Sequence, residues 1–100
     1  MKRISASELS VLDTEKVLLL DIRSREEFER NGINGSVNVQ FDEISTGLSK
    51  LPKDKPVYVL CRTGDFSEEV AEILEDRGYD VCNIEGGYAA YTVHLVNAGL

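Results

Sequence analysis

Cys61 follows the apolar run Val57-Tyr58-Val59-Leu60 and precedes Arg62-Thr63-Gly64-Asp65-Phe66-Ser67, a short loop leading into an amphipathic segment. A thiol at such a strand-to-helix junction lies where α/β sheets place their ligands, outside the carboxyl ends of the strands. Backbone N–H groups of the loop and of the first helical turn, with the helix dipole, favour thiolate over thiol there. A cysteine serving only as a small hydrophobe is expected within a strand or on the apolar face of a helix instead. Cys61 is therefore the candidate nucleophile.

The remaining chemistry-bearing residues are sparse. Cys82 lies in Asp80-Val81-Cys82-Asn83-Ile84, a short alternating strand, and reads as core. Two cysteines have neither the number nor the spacing of a disulfide framework or a zinc site, so reduced thiols and no bound metal are expected. His94, the only histidine, has no Cys, Asp or Glu at ligand spacing and forms no Cys-His pair by sequence. The tyrosines and phenylalanines are scattered and make no stacking platform.

The elements that hold Cys61 in place are legible as alternating strands and helices. A brief strand is expected before Ser5-Ala6-Ser7-Glu8, whose capping-box spacing opens a short helix carrying Leu9, Val11 and Leu12. Val17 to Ile22 is continuously apolar except for Asp21, as in a strand covered on both faces, and is placed at the centre of the sheet. Ser24-Arg25-Glu26-Glu27 repeats the capping box and starts a helix running to about Asn31, with Phe28 inward and Gly32 as the stop.

Ser36 to Gln40 reads as a short strand. Phe41, Ile44, Leu48 and Leu51 then recur at helical spacing before Pro52. Val57 to Leu60 is a buried strand, and Ser67 caps a helix with Val70, Ala71, Ile73 and Leu74 as its apolar stripe, ending at Gly78. After the strand at 81–84, Gly86-Gly87 turns into a final helix from Tyr88 toward Val96. Strands alternating with helices over short connections predict an α/β fold, a mainly parallel sheet between helical layers.

One hundred residues make one domain, 1–100. No apolar stretch, Val17 to Leu20 included, is long enough to span a bilayer, and Met1-Lys2-Arg3 is not followed by a secretory apolar segment. A cytoplasmic location is expected. A net charge of −7 repels phosphate backbones and anionic membranes, which argues against nucleic-acid and membrane partners.

Taken together, four segments resemble the signatures of single-domain rhodaneses, a family of sulfurtransferase modules, in the right order and over essentially the whole chain. They are Leu20-Asp21-Ile22-Arg23 with Glu27-Phe28; Gly32-Ile33-Asn34-Gly35-Ser36-Val37; Cys61 to Ser67; and Glu85-Gly86-Gly87-Tyr88 through Tyr91. The resemblance implies a rhodanese-like three-layer sandwich with a five-stranded sheet. It implies a Cys61 persulfide that takes sulfur from thiosulfate or a persulfide and gives it to a thiol, a protein or another nucleophile. No cofactor is implied, and a redox enzyme is a conceivable partner. Loop N–H groups from residues 62 to 67 would stabilise thiolate and persulfide without a general base, so the missing histidine is no objection. Arg62, Thr63, Gly64, Asp65, Phe66 and Ser67 are the expected substrate-binding residues, with Gly64 allowing the loop to curl and Arg62 facing an anionic donor. Asp21 and Arg23 are expected as a supporting ion pair beneath the loop.

The chain departs from the family pattern in ways that disfavour small anions. Phe66 stands where many members carry a basic residue, Asp65 adds negative charge to the loop, and Glu68 and Glu69 add more in the following turn. Asn31-Gly32 replaces a usual glycine-histidine pair, Asn34 a common proline and Tyr91 a frequent tryptophan. Phe66 instead suits a larger donor or acceptor. Two rivals stand beside this reading. One is a catalytically weak interaction or regulatory module with an incidental cysteine; the other is a cysteine phosphatase or arsenate reductase. The phosphatase loop needs an arginine six residues after the cysteine, where this chain has Ser67.

Overall fold

Apolar runs of four residues, flanked by turn and capping residues, all enter one sheet in the computed structural model, which describes residues 1–99. The strands are β1 (Lys2–Ile4), β2 (Leu18–Asp21), β3 (Val37–Asn38), β4 (Val57–Leu60) and β5 (Val81–Ile84). The helices are α1 (Ala6–Leu9), α2 (Arg25–Asn31), α3 (Ile44–Gly47), α4 (Asp65–Asp76) and α5 (Gly87–Asn97). Every strand pairing is parallel, in the spatial order β1-β5-β4-β2-β3. The strand carrying Cys61 at its end thus takes the centre. The run at 17–22, expected there, lies one position toward the edge, between β4 and the two-residue β3.

Period-two alternation along the strands builds two cores. Leu20, Val57, Val59 and Val81 face α3 and α4, meeting Ile44, Val70, Ala71 and Leu74. Leu19, Leu60 and Ile84 face the other way, onto Leu9 of α1 and the half-buried Tyr88 and Tyr91 of α5. Helices on both faces of a parallel sheet make the α/β sandwich that the alternation of elements predicts. Cys61 continues the Val57, Val59 face, so its side chain leaves the sheet beneath the start of α4.

Local departures from expectation have local causes. Phe41 to Leu51 is not one helix but a 3₁₀ turn (Phe41–Glu43), α3 and a second 3₁₀ turn (Leu48–Lys50). Ile44 and Leu48 still reach the core at helical spacing, while Phe41 is left at the surface. Phe28 is half-buried rather than inward, because α2 has no buried residue. Ile73 is 39% exposed on the flank of α4, although Val70, Ala71 and Leu74 form the buried stripe. Ser5 and Ser24 cap their helices as their spacing predicts. Ser67 does not cap α4; that helix begins two residues earlier, behind Gly64. Among the described residues no helix is long and apolar enough to cross a membrane, and no group of three His, Cys, Asp or Glu side chains is placed to hold a metal ion.

Candidate active site

The loop after β4 closes around the Cys61 sulfur. Gly64 adopts φ 97°, a left-handed conformation that costs a residue with a side chain about 1–2 kcal/mol. That bend turns the Gly64 N–H onto Sγ at 3.0 Å, and the first turn of α4 adds the Ser67 N–H at 3.3 Å. Both donors stabilise negative charge on the sulfur. The Ser67 hydroxyl also lies 3.3 Å from Sγ, and it donates to Asn83 Oδ1 at 2.6 Å. Asn83 stands beside Val59 in the parallel register and points to the same face as Cys61. Its Nδ2–H donates to the Gly64 carbonyl at 3.3 Å, tying the bend to β5.

The outer side of the loop is held by α5. Tyr88 N–H donates to the Cys61 carbonyl at 2.9 Å and Ala89 N–H to the Arg62 carbonyl at 3.0 Å. Two otherwise orphan donors of a helix N-terminus are satisfied this way, and the loop carbonyls are turned away from the sulfur. The approach is close enough that a Cβ on Gly87, at φ 58°, would collide with the Cys61 carbonyl oxygen. Beneath the loop, Asp21 and Arg23 form a buried ion pair. Arg23 Nη2 lies 2.8 Å from Asp21 Oδ2, and the Arg23 backbone N–H donates to Asp21 Oδ1 at 2.9 Å. Arg23 is further fixed by Asn31 Oδ1 at 2.8 Å and by the ring of Tyr88, whose centroid is 4.0 Å from the guanidinium carbon.

Cys61 is 3% exposed, deeper than a loop position suggests, and is met through an open cavity of about 340 Å³. Ile22 and Thr63 line its walls. Phe41 and Phe66 also line it, their rings in tilted contact with centroids 4.7 Å apart and Phe66 58% exposed. The lining further holds an ion pair, Arg62 Nη2 to Glu27 Oε1 at 2.8 Å and Nε to Oε2 at 3.3 Å. The Arg62 hydrogen bond holds the Glu27 carboxyl below the usual carboxylate range against the opposing effect of burial, and Glu27 in turn raises the guanidinium.

Of the loop residues singled out by sequence, Gly64 and Ser67 touch the sulfur, while Arg62, Thr63 and Phe66 line the cavity. Asp65 does neither; it is exposed at the first position of α4, 3.4 Å from the Thr63 hydroxyl. Glu68 is tied to Arg3 rather than facing the thiol. Sequence reading missed Glu27, Phe41 and Asn83 as site residues. Asn83 had a detectable signal, a polar residue on the inward face of an otherwise apolar strand. Glu27 stood only within a capping box and a family signature, and Phe41 had no signal, since their partners Arg62 and Phe66 lie far along the chain.

This arrangement accompanies clear likenesses to known proteins. The chain is 34% identical to a sulfurtransferase of Allochromatium vinosum over 94% of its own length and 91% of the relative's. It is 32% identical to the thiosulfate sulfurtransferase GlpE of Pseudomonas savastanoi pv. phaseolicola, covering 87% and 83% of the two chains. The crystal structure of a rhodanese-related protein from Thermoplasma volcanium superposes with a TM-score of 0.86 at 26% identity, covering 94% and 93%. The family model for the rhodanese-like domain matches residues 5–94, and the chain belongs to that family.

Proposed function

We propose that the chain is a sulfurtransferase that carries sulfane sulfur on Cys61. The thiolate attacks the outer sulfur of a donor; a new S–S bond forms, the donor's S–S bond breaks, and the leaving thiolate or sulfite departs with the electron pair. An acceptor nucleophile then attacks the outer sulfur of the Cys61 persulfide and returns Cys61 as thiolate, with no net oxidation. The observation that carries this reading is the pair of N–H donors from Gly64 and Ser67 converging on one sulfur at the base of an open cavity. Such donors are preorganised for an anionic sulfur and need no proton acceptor.

The exposed aromatic pair favours a donor larger than thiosulfate, such as an organic or protein-borne persulfide. Phe41 and Phe66 present apolar surface where a small dianion has nothing to bind. Incubation with a low-molecular-weight persulfide should add about 32 Da, one sulfur, to the intact protein by mass spectrometry. The gain should vanish in Cys61→Ser, and its persistence there would overturn the assignment. Turnover with the persulfide should exceed that with thiosulfate; equal or faster thiosulfate turnover would remove the basis for the larger donor.

A further inference from the structure

A second open groove, of about 300 Å³, lies between residues 41–45 and α4, and Phe41 lines both it and the Cys61 cavity. Glu69 and Ile73, one and two turns beyond Phe66 on α4, line it too, and Arg77 stands at its far end. Phe41, Phe66 and Ile73 are 41%, 58% and 39% exposed. Three of the seven large hydrophobic side chains exposed among the described residues thus gather at the thiol's cavity and the groove beside it. Asp42 and Glu69 add a carboxylate from each wall. Neither has an ion-pair partner among the described residues, whereas Glu26, Glu27, Glu43, Glu68 and Glu75 each have one.

We infer that this groove seats a protein partner in the sulfur exchange. A basic segment of the partner packs an apolar side chain on Phe41, Phe66 and Ile73 while its Lys or Arg side chains meet Asp42 and Glu69. The inference rests on the sulfur-carrier reading and deepens it by naming the class of partner. A second copy of this chain is a poor occupant, because two chains of net charge −7 repel each other. Arg77 is the one cation lining the groove, so the partner's basic residues belong nearer its cysteine, level with the two carboxylates. In the exchange the partner's thiolate attacks the outer sulfur of the Cys61 persulfide. A new S–S bond forms on the partner, the Cys61 S–S bond breaks, and its electron pair returns to Cys61. Run backwards, the same step loads Cys61, so one docking surface serves both directions.

The test loads the full chain with a low-molecular-weight persulfide and mixes it with synthetic peptides that carry one cysteine, a pair of leucines and either lysines or glutamates. Sulfur transfer to the peptide is followed by mass spectrometry. The readout is the ratio of the basic to the acidic rate, compared between protein variants so that each peptide's own thiol reactivity cancels. Asp42→Lys with Glu69→Lys should lower that ratio about tenfold, the scale of two exposed ion pairs, and the drop should shrink with added salt. Glu15→Lys with Asp54→Lys makes the same change in net charge at the opposite end of the sheet, ahead of β2 and β4, and should lower it only about twofold. Replacing the basic peptide's leucines with serines should slow transfer about threefold. Equal drops in the two variants, no drop in the first, or no cost of losing the leucines would overturn the inference. A chain that takes up no sulfur from any donor would instead sink the carrier reading itself.

Discussion

Cys61 and Cys82 lie on neighbouring strands and are buried alike, 3% and 2% exposed, yet their surroundings are opposite. Cys82 sits within β5 on the face toward α1 and α5, and its thiol donates to the Asn83 carbonyl at 3.7 Å. Burial, with the Glu8 carboxylate next in weight, pushes that thiol above its ordinary range. Cys61 stands one residue past its strand, where peptide N–H groups have no ladder partner and turn onto the sulfur. Depth alone does not decide whether a cysteine is reactive; what matters is whether the backbone around it is still committed to a sheet.

The largest expected effect tests the bend itself. Gly64→Ala puts a Cβ 2.9 Å from the Gly86 nitrogen in a left-handed conformation, and it should displace the N–H donor. Persulfide turnover should fall on the order of 100-fold, as when an oxyanion donor is lost, and Cys61 alkylation by iodoacetamide near neutral pH should slow to the rate of an ordinary buried thiol. Native Cys61 that labels no faster than Cys82 would erase the contrast between the two.

A middling effect tests the side chain beneath the sulfur. Ser67→Ala keeps the Ser67 N–H and removes the hydroxyl bridging Sγ and Asn83. About a tenfold loss in turnover is expected, the value of one buried hydrogen bond, with the fold retained by circular dichroism. No loss would mean that the two N–H groups suffice.

The smallest effect concerns Cys82. Its folded-state value is raised, so the stability linked to its proton is present below the unfolded value and is lost as pH rises through the folded one. Denaturant unfolding at about pH 8 and about pH 10 should show a shallower alkaline decline for Cys82→Ala than for the native chain. An identical decline would show that burial does not govern that thiol.

Most of the scaffold was readable because its signals are local. Apolar runs at 17–20 and 57–60 supply parallel strands, and Ser5 and Ser24 cap the helices their spacing marks. The place of Cys61, one residue past such a run and at the start of a loop, was legible for the same reason. Ser67 was misread because serine at a helix start suggests a cap, whereas here the left-handed Gly64 starts the helix and frees the hydroxyl for Asn83. Glu27 was visible only as part of a capping box and of a family signature. Its contact with Arg62, like those of Phe41 with Phe66 and Asn83 with Ser67, is made by the sheet bringing strand ends side by side. Spacing along the chain carries no trace of such pairs.

The clasp between α5 and the Cys61 and Arg62 carbonyls has a consequence for the order in which the molecule matures. The two hydrogen bonds join residues 27 positions apart in the chain, so β4 and its thiol can form before α5 docks on the loop. Until it docks, nothing fastens those carbonyls outward and the surrounding peptide planes are free to rotate. The outer half of the loop around the sulfur is thus set by an element that follows it in the chain.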